Sequence, residues 1–431
     1  MTLPPGKDIV VARQRPASAL RPLYSQVYLP NFLFATGQGA ILPMLAIAAR
    51  HVGASATSAG LVVATNGIAT LLFDVPAGRL VGALGESRAG LAACVALVVG
   101  LSGALFATST LELAIGVAIA SCGSALWMLV RLTHLSRVAP PVARGRALSL
   151  LGGVTRAGYV LGPLLVVALA SASDPSRAFL IDIVAVASGF AVLAASRDRH
   201  DGDAHRVEAH MRARFVPARG ARLDLATAGV GTFAISLLRA SRVLLIPLWG
   251  VHIGLPLRTV SLVYALSSLV DLTLFYPAGW LSDRHGRKAV VIPSLVLMSF
   301  GNLCLPISHS LSVYIAAAIL TGVGNGLGAG IVMTLGADRA PPVGRASFLA
   351  VWRLVADLGT TTGPLLASAT IAALSLSAAP LPVAVVGLGA AATVGAFMRG
   401  EAGAHPATPD DRTETGAGRR ATDADDSSPA P

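Results

Sequence analysis

The chain nearly repeats itself at one fixed interval. The segment 76–80, PAGRL, returns as PAGWL at 277–281, which is 201 residues later. The pattern GxxxGPLL at 158–165 returns at 359–366 with the same interval. Each half also carries long apolar segments. We therefore predict two pseudo-equivalent halves in a membrane, an organisation typical of transporters whose halves move about a central site.

Composition places the chain in the bilayer. Of its 431 residues 54% are hydrophobic and only 13% are charged, whereas a soluble protein of this length needs more charge to cover its surface. Twelve apolar segments are each long enough to cross a bilayer as a helix. The sequence predicts an all-α integral membrane fold of two six-helix bundles. We number its spans 1 to 12 in chain order: 27–49, 57–78, 89–107, 111–131, 147–171, 178–196, 225–250, 259–278, 289–307, 311–335, 347–372 and 380–398.

The net charge of +11 reflects membrane topology and not a nucleic-acid partner. With the N-terminus placed inside, the tails and the inside loops hold 25 of the 33 Lys and Arg residues. The outside loops hold only Arg50, Arg177 and Arg258. This asymmetry follows the positive-inside rule. We expect a multi-pass protein of the cell inner (plasma) membrane with both termini in the cytoplasm.

Polar stretches divide the chain into five parts. The longest internal polar stretch joins the two halves, and the C-terminal stretch has no apolar period that would support folding. We predict a cytoplasmic N-terminal segment, an N-terminal six-helix bundle, a cytoplasmic linker, a C-terminal six-helix bundle and a disordered cytoplasmic tail, at 1–26, 27–196, 197–224, 225–399 and 400–431.

The connection between spans 8 and 9 carries the most specific motif. Residues 279–288 read GWLSDRHGRK. This segment resembles the signature loop of the major facilitator superfamily, GxLxDRxGRK, at all of its main fixed positions. The resemblance extends, with the twelve spans and the half-repeat, over about residues 27–398, and it implies that superfamily's fold and a transporter. The motif is specific for the superfamily and says little about substrate.

Physical chemistry explains why particular residue types occur at the fixed positions of this loop. Gly279 permits close helix contact, and Gly286 permits a tight turn. The resemblance implies that Asp283 approaches the positive N-terminus of a helix in the other half and acts as a conformational latch. A basic turn that only fixes topology is the alternative. The basic residues hold the loop at the phospholipid surface: Arg284, Arg287 and Lys288.

The corresponding loop of the first half departs from the motif. It keeps Gly78 and Gly85, but Gly82 stands in place of the acid. Asp74 lies one turn before Gly78 and partly substitutes for that acid. We expect a weaker latch in the first half, made by Asp74, Gly78, Arg79 and Gly85.

Small residues and prolines recur in spans 5 and 11. Glycines four residues apart let helices approach closely, and a proline bends its helix. The pattern in span 5 partly resembles that of antiporters in the superfamily, which favours proton antiport; helix packing alone is the alternative. The residues concerned are Gly158, Gly162, Pro163, Gly359, Gly363 and Pro364.

Charged side chains inside the spans are the best candidates for substrate or proton sites, because burying them is costly unless they are paired or hydrated. Arg242 lies three residues after Arg239 in span 7, and Asp182 is a weaker candidate nearer the outside. By helix rise, five side chains fall near mid-membrane: Arg156, Arg239, Asp271, Arg353 and Asp357.

Two relations within this set suggest a mechanism. Arg353 and Asp357 share one helix face. Arg156 and Asp357 are repeat equivalents of opposite charge, so the halves would present complementary charges across a central cleft. We predict that Asp271 or Asp357 binds and releases a proton during transport. Static ion pairs that only position helices are the alternative.

The sequence favours transport over catalysis. We find no P-loop, no HExxH and no convincing GxSxG, and the three cysteines lie in apolar spans without metal-ligand spacing. Our leading hypothesis is a monomeric secondary transporter that exports an amphipathic drug or metabolite by proton antiport, as in multidrug-resistance efflux. Proton-coupled uptake of a small organic anion or nutrient is the alternative, and a non-transporting receptor or scaffold is the third class. We expect a small-molecule substrate, protons and lipid as partners, and no cofactor, metal or nucleic acid.

Overall fold

The computed structural model describes residues 24–138, 144–169, 175–195, 222–341 and 345–398. Every secondary-structure element in these ranges is a helix. The predicted N-terminal segment and linker fall outside the described residues except for their last three positions each, and the predicted tail falls outside entirely.

All twelve predicted spans are helical, as the sequence predicted. Eight described helices are long and apolar enough to cross a membrane, or nine if the bent span 1 counts as one. Spans 2 and 3 count once in that number, because they form one continuous element. In chain order the elements are Tyr24–Tyr28, Leu29–Ile41 and Leu45–His51 (span 1), Ala56–Leu105 (spans 2 and 3), Thr110–Val138, Arg144–Leu169, Arg177–Ala195, Arg222–His252, Leu257–His285, Lys288–Cys304, Leu311–Leu327 and Ile331–Arg339 (span 10), Arg345–Ala373 and Pro380–Phe397.

The sequence did not predict the interruptions in spans 1 and 10. Span 1 bends by 44° between Ile41 and Leu45. Span 10 is interrupted at 328–330, where a turn replaces the helix. Both interruptions lie inside continuously apolar segments, so hydropathy alone could not reveal them. The second one matters below, because an interrupted helix exposes backbone carbonyls to other partners.

Four glycines with positive φ mark the turns, and they form two repeat-related pairs. Gly85 and Gly286 have φ of 76° and 84°, each with ψ of 166°. Gly53 and Gly254 have φ of 86° and 79°. Side chains are strongly disfavoured there, which confirms the turn expected at Gly286. We call the end with Gly85 and Gly286 the basic end, and the end with Gly53 and Gly254 the opposite end.

Close helix contacts also follow the repeat. A Cβ atom at Gly158 would lie 2.7 Å from the Cβ of Ala35 in span 1. A Cβ atom at Gly359 would lie 3.0 Å from the Cβ of Ser236 in span 7, which is the repeat equivalent of Ala35. Both glycines thus lie where a larger side chain would meet the neighbouring helix. The helices also contain the prolines predicted to bend them, Pro163 and Pro364.

A second set of close contacts was not predicted. A Cβ atom at Gly123 in span 4 would lie 2.8 Å from the backbone nitrogen of Leu97 in span 3. Its repeat equivalent, Gly324 in span 10, has the same relation to Met298 in span 9, at 2.7 Å. Helix pairing within each half is therefore set by glycines at equivalent positions.

The two halves are in direct contact towards the opposite end. There a Cβ atom at Gly60 in span 2 would lie 3.1 Å from the Cβ of Ser368 in span 11. Ser261 in span 8 lies 3.8 Å from the sulfur of Met44 in span 1. Towards the basic end, a Cβ atom at Gly279 would have no described heavy atom within 4 Å. The close helix contact expected at Gly279 stays a prediction.

Candidate functional site

Two ion pairs connect the halves at repeat-related helix crossings. Arg156 in span 5 pairs with Asp271 in span 8, with 3.4 Å between Nε and Oδ1. Arg353 in span 11 pairs with Asp74 in span 2, with 3.2 Å between Nε and Oδ2. Spans 8 and 11 are the repeat equivalents of spans 2 and 5. The molecule therefore places one ion pair at each of two pseudo-symmetric crossings.

The two pairs lie at different depths. The repeat equivalent of Asp74 is Phe275, and Asp271 lies one turn earlier in the same span. The repeat equivalent of Arg353 is Gly152, and Arg156 lies one turn after it in the same span. A Cβ atom at Gly152 would lie 3.5 Å from the Phe275 ring. One turn is ~6 Å along the helix axis, so the first pair lies that much nearer the opposite end. The Phe275 ring covers the face of the Arg156 guanidinium, 4.6 Å from its central carbon.

Arg353 lies between two carboxylates. Its Nε is 3.4 Å from Oδ2 of Asp357, on the helix face that the sequence predicted. The carboxylates of Asp74 and Asp357 are close enough to interact electrostatically. Asp74, which the sequence placed in a weak loop latch, thus belongs to the charged cluster. The complementary charges predicted at Arg156 and Asp357 pair with other residues and not with each other.

An asparagine links the second arginine cluster to Asp271. Arg239 in span 7 donates from Nε to Oδ1 of Asn325, at 2.7 Å. Asn325 in span 10 donates from Nδ2 to Oδ2 of Asp271, also at 2.7 Å. Arg239 also donates to the carbonyl of Gly328, at 3.4 Å, where span 10 is interrupted. The sequence search considered only charged residues and therefore missed Asn325.

Arg242 is the most buried arginine of the site, with 4% of its surface exposed. It donates from Nη2 to Oγ of Ser267 at 2.9 Å. The Tyr264 ring covers its guanidinium at 5.1 Å. Its Nε is buried and has no hydrogen-bond partner among the described residues. Within the described ranges, neither Arg242 nor Arg239 has a carboxylate within 4 Å.

Two further residues of the site were not among the candidates. Arg131 in span 4 has a buried Nε without a described partner, and it interacts electrostatically with Arg353. Tyr159 in span 5 interacts with Arg131, Arg156 and Arg239, and it is 36% exposed. Its position three residues after Arg156 puts it on the same helix face, which is the signal that could have found it.

Asp182 occupies a different place. Its side chain is fully buried between spans 6 and 1, against Gly37. It accepts a hydrogen bond from Nε2 of Gln38 at 3.0 Å, and its Oδ1 has no partner among the described residues. It is packed inside the first half and not at the crossing between halves.

In the signature loop, the described ion pairs stay within the second half. Arg287 lies 2.8 Å from both Oδ1 of Asp283 and Oδ2 of Asp338 at the end of span 10. Burial alone would lower the pKa of Arg287, but these two carboxylates raise it above its usual value. Arg284 lies over the Trp280 ring at 5.3 Å.

The latch predicted for Asp283 stays a prediction. The resemblance requires the N-terminus of a helix in the other half. At the start of span 5, the side chains of residues 144–146 fall outside the described set. In the corresponding first-half loop, Glu86 is the repeat equivalent of Arg287, and it pairs with His134 of span 4 at 3.1 Å. Each loop thus forms an ion pair with another helix of its own half at the same repeat position. That position is acidic in the first half, at Glu86, and basic in the second, at Arg287.

Comparisons with known proteins agree with this architecture. The family model described as Major Facilitator Superfamily matches the chain twice, at residues 27–245 and 228–423. The uncharacterized MFS-type transporter YhjO of Bacillus subtilis (strain 168) is 22% identical over 306 residues, which cover 71% of this chain and 75% of that protein. The tandem matches correspond to the two repeat-related halves.

Two further likenesses are more limited. The arabinose-proton symporter of Bacillus subtilis (strain 168) is 32% identical over 82 residues, which cover 19% of this chain and only 18% of the symporter. A crystal structure of a POT family transporter in complex with a thioalcohol conjugated peptide superposes with a TM-score of 0.71, at 12% identity, over 87% of this chain and 95% of that one. At that identity the likeness shows the fold alone. It confirms the predicted architecture of two six-helix bundles.

Proposed function

The chain belongs to the Major Facilitator Superfamily, and from this premise we propose that it is a proton-coupled secondary transporter that exports a small amphipathic molecule by alternating access. The observation that carries the proposal is the presence of two ion pairs across the halves, at pseudo-symmetric crossings of spans 5 and 8 and of spans 2 and 11. A scaffold that never moves its halves has no need of charges there, because each buried charge costs free energy.

Alternating access follows from where the halves touch. The contacts of Gly60 with Ser368 and of Met44 with Ser261 close the opposite end. The side chains of Arg353 and Asp74 remain 33% and 25% exposed, which supports access to them from the basic end. We place the basic end in the cytoplasm from the charge asymmetry of the loops. This conformation then faces inward, and the outward-facing state requires the closing contacts to separate.

The same pairs support the proposal of proton coupling. A carboxylate that loses its guanidinium partner in a low-dielectric crevice carries an uncompensated charge. Taking up a proton removes that charge. We propose that Asp271, or Asp357 with Asp74, takes a proton when the halves move and releases it when the ion pair forms again.

The direction of transport has two candidates. The glycine–proline pattern of span 5, which partly matches that of antiporters in the superfamily, supports export by exchange. The likeness to an arabinose-proton symporter supports uptake as the second candidate. We propose that one chain suffices, because its two halves already enclose a pathway, and that both termini lie in the cytoplasm of a plasma-membrane protein.

Everted membrane vesicles that contain a proton-sensitive dye test this proposal. Respiration acidifies the vesicle lumen, and an exporter exchanges added compound for lumenal protons, so the dye signal recovers. We expect recovery with at least one compound of a broad panel in vesicles with the wild-type chain, and none with the vector alone. A symporter would instead release protons only when its substrate is loaded inside.

Matched variants locate the proton site. We expect Asp271→Asn or Asp357→Asn to remove the compound-dependent signal. Glu112→Gln is the control, because Glu112 is an exposed carboxylate at the opposite end that bonds only to its own turn. Full coupling in both aspartate variants would refute the proton sites, and no signal with any compound, added outside or loaded inside, would refute the transporter.

A further inference from the structure

The charged site between the halves contains more arginines than acids. Three aspartates contribute negative charge, and five arginines contribute positive charge, which leaves an excess of two positive charges. The residues are Asp74, Asp271, Asp357, Arg131, Arg156, Arg239, Arg242 and Arg353. We propose that this excess is the binding site for an oxyanion, a carboxylate or a phosphate, carried by the transported molecule. The inference rests on the proposed transport function and adds the chemical class of its substrate.

The excess is localised on arginines that have no acidic partner. Among the described residues, Arg239 is hydrogen-bonded to neutral groups only, Asn325 and the carbonyl of Gly328. Within the same ranges, Arg242 is hydrogen-bonded only to Ser267. A buried guanidinium without a counter-charge is costly, and proteins ordinarily compensate it with a carboxylate or a bound anion. No carboxylate in the described part of the chain lies within 4 Å of Arg239 or Arg242, and Asp271 acts on Arg239 only at longer range, so a substrate anion would supply the direct counter-charge.

Buried nitrogen donors without a hydrogen-bond partner also support an oxyanion site. Nε of Arg242 and Nε of Arg131 are buried and lack hydrogen-bond partners among the described residues. One donor comes from the second half and the other from the first. A guanidinium binds carboxylate and phosphate through two parallel N–H bonds, which makes it the preferred group for oxyanions.

Aromatic rings leave the arginine edges available. Phe275 covers the face of Arg156, and Tyr264 covers the face of Arg242. Stacking occupies the guanidinium face and leaves its N–H groups, which lie in the plane, for a ligand. Tyr159 lies among these arginines with part of its surface exposed, and its hydroxyl adds a further donor. The rings also provide apolar contact for the rest of an amphipathic substrate.

The proposal also explains how substrate and proton would share the site. Asp271 already neutralises part of the cluster through Arg156 and Asn325. A substrate oxyanion that binds beside it competes for the same donors, and protonation of Asp271 would release those donors to the substrate. Binding of the anion and of the proton are then favourable to each other, which is the coupling of symport, so an oxyanion substrate favours uptake, the second candidate direction above.

Equilibrium binding to the purified full-length chain tests the inference without requiring transport. The probes are benzene, naphthalene and indole rings, each carrying a carboxylate, a phosphate, a carboxamide or an aminomethyl group. Isothermal titration calorimetry at neutral pH reports binding. We expect at least one ring series in which the carboxylate or the phosphate binds 10-fold or more tightly than the carboxamide, with the amine weakest. If no series shows such a preference for an anion, the inference is wrong.

Variants connect the preference to the named arginines. We expect Arg239→Gln and Arg242→Gln each to reduce the anion preference at least 10-fold. Arg258→Gln is the control, because Arg258 is exposed in the first turn of the helix Leu257–His285, at the opposite end. An unchanged preference in both site variants would overturn the assignment, and if those variants fail to fold, the wild-type probe series decides alone.

The two proposals fail separately. Anion-selective binding without compound-dependent proton movement would leave the oxyanion site and refute the transporter. Proton movement driven only by neutral or cationic compounds would leave the transporter and refute the oxyanion site.

Discussion

The side chain of Asn325 hydrogen-bonds a guanidinium and a carboxylate at the same time. Its amide oxygen accepts from Arg239, and its amide nitrogen donates to Asp271. Only a side chain with both a donor and an acceptor can do this. The amide thereby holds an arginine of span 7 and an aspartate of span 8 in fixed positions without adding charge.

Replacing this amide should be costly. We expect Asn325→Ala to destabilise the protein by about 1–3 kcal/mol, because a buried arginine and a buried aspartate each lose a hydrogen bond. The measurement is thermal unfolding of the detergent-solubilised protein. Asn66→Ala is the matched control, because the Asn66 side chain has no hydrogen bond among the described residues. Equal stability of the two variants would contradict the role assigned to Asn325.

At the same scale, the charged members of the site could be predicted and the neutral ones could not. Helix rise placed Arg156, Asp271 and Arg239 at similar depth, and the structure brings these three together. The alternating glycines of residues 322–330 are a signal for the interruption of span 10, but they do not show that Asn325 meets these charged side chains, which only the tertiary fold determines. Asp74 was found but assigned to a loop, because its partner Arg353 is distant in sequence and only the tertiary fold brings them together.

At the scale of helices, glycines determine which faces meet. Gly162 in span 5 faces the backbone of Thr36 and Ala40 in span 1, and Gly363 in span 11 faces the backbone of Leu237 in span 7. In a bilayer, where no hydrophobic effect drives helices together, such close approach allows strong van der Waals contact. The repeated pattern made these two sites predictable. The contacts made by glycines in spans 4 and 10 were missed, because one helix sequence does not show which of its faces a neighbour will contact.

A methyl group at these positions should separate the helices. We expect Gly162→Ala to cost about 1–3 kcal/mol, since the added Cβ overlaps backbone atoms that cannot move aside easily. Gly153→Ala is a control on the same helix, because a Cβ there has no described atom within 4 Å. That control should be neutral, or more stable by up to about 1 kcal/mol through better helix propensity. Thermal unfolding measures both, and a Gly162→Ala protein as stable as its control would show that the contact is unimportant.

For the whole molecule, the half-repeat was the most informative property of the sequence. It predicted two bundles, and the structure repeats their turns, close contacts and inter-half crossings at the same interval. The repeat is broken where the charges lie: Asp74 corresponds to Phe275, and Arg353 corresponds to Gly152. This divergence makes the two crossings differ in depth by one turn.

A cross-link at the opposite end tests whether the halves separate there. Cβ atoms at Gly60 and Ser368 would lie 3.1 Å apart, slightly less than the ~3.5–4.5 Å of a disulfide, so a small separation of spans 2 and 11 brings Gly60→Cys and Ser368→Cys into disulfide range in a chain whose three native cysteines are replaced. We expect oxidation to abolish compound-dependent proton movement, because the outward-facing state requires these positions to separate, and reduction to restore it. The single variants control for the substitutions themselves. A fully cross-linked protein that transports at the rate of the reduced form would show that spans 2 and 11 stay together, and the alternating-access mechanism would have to be abandoned.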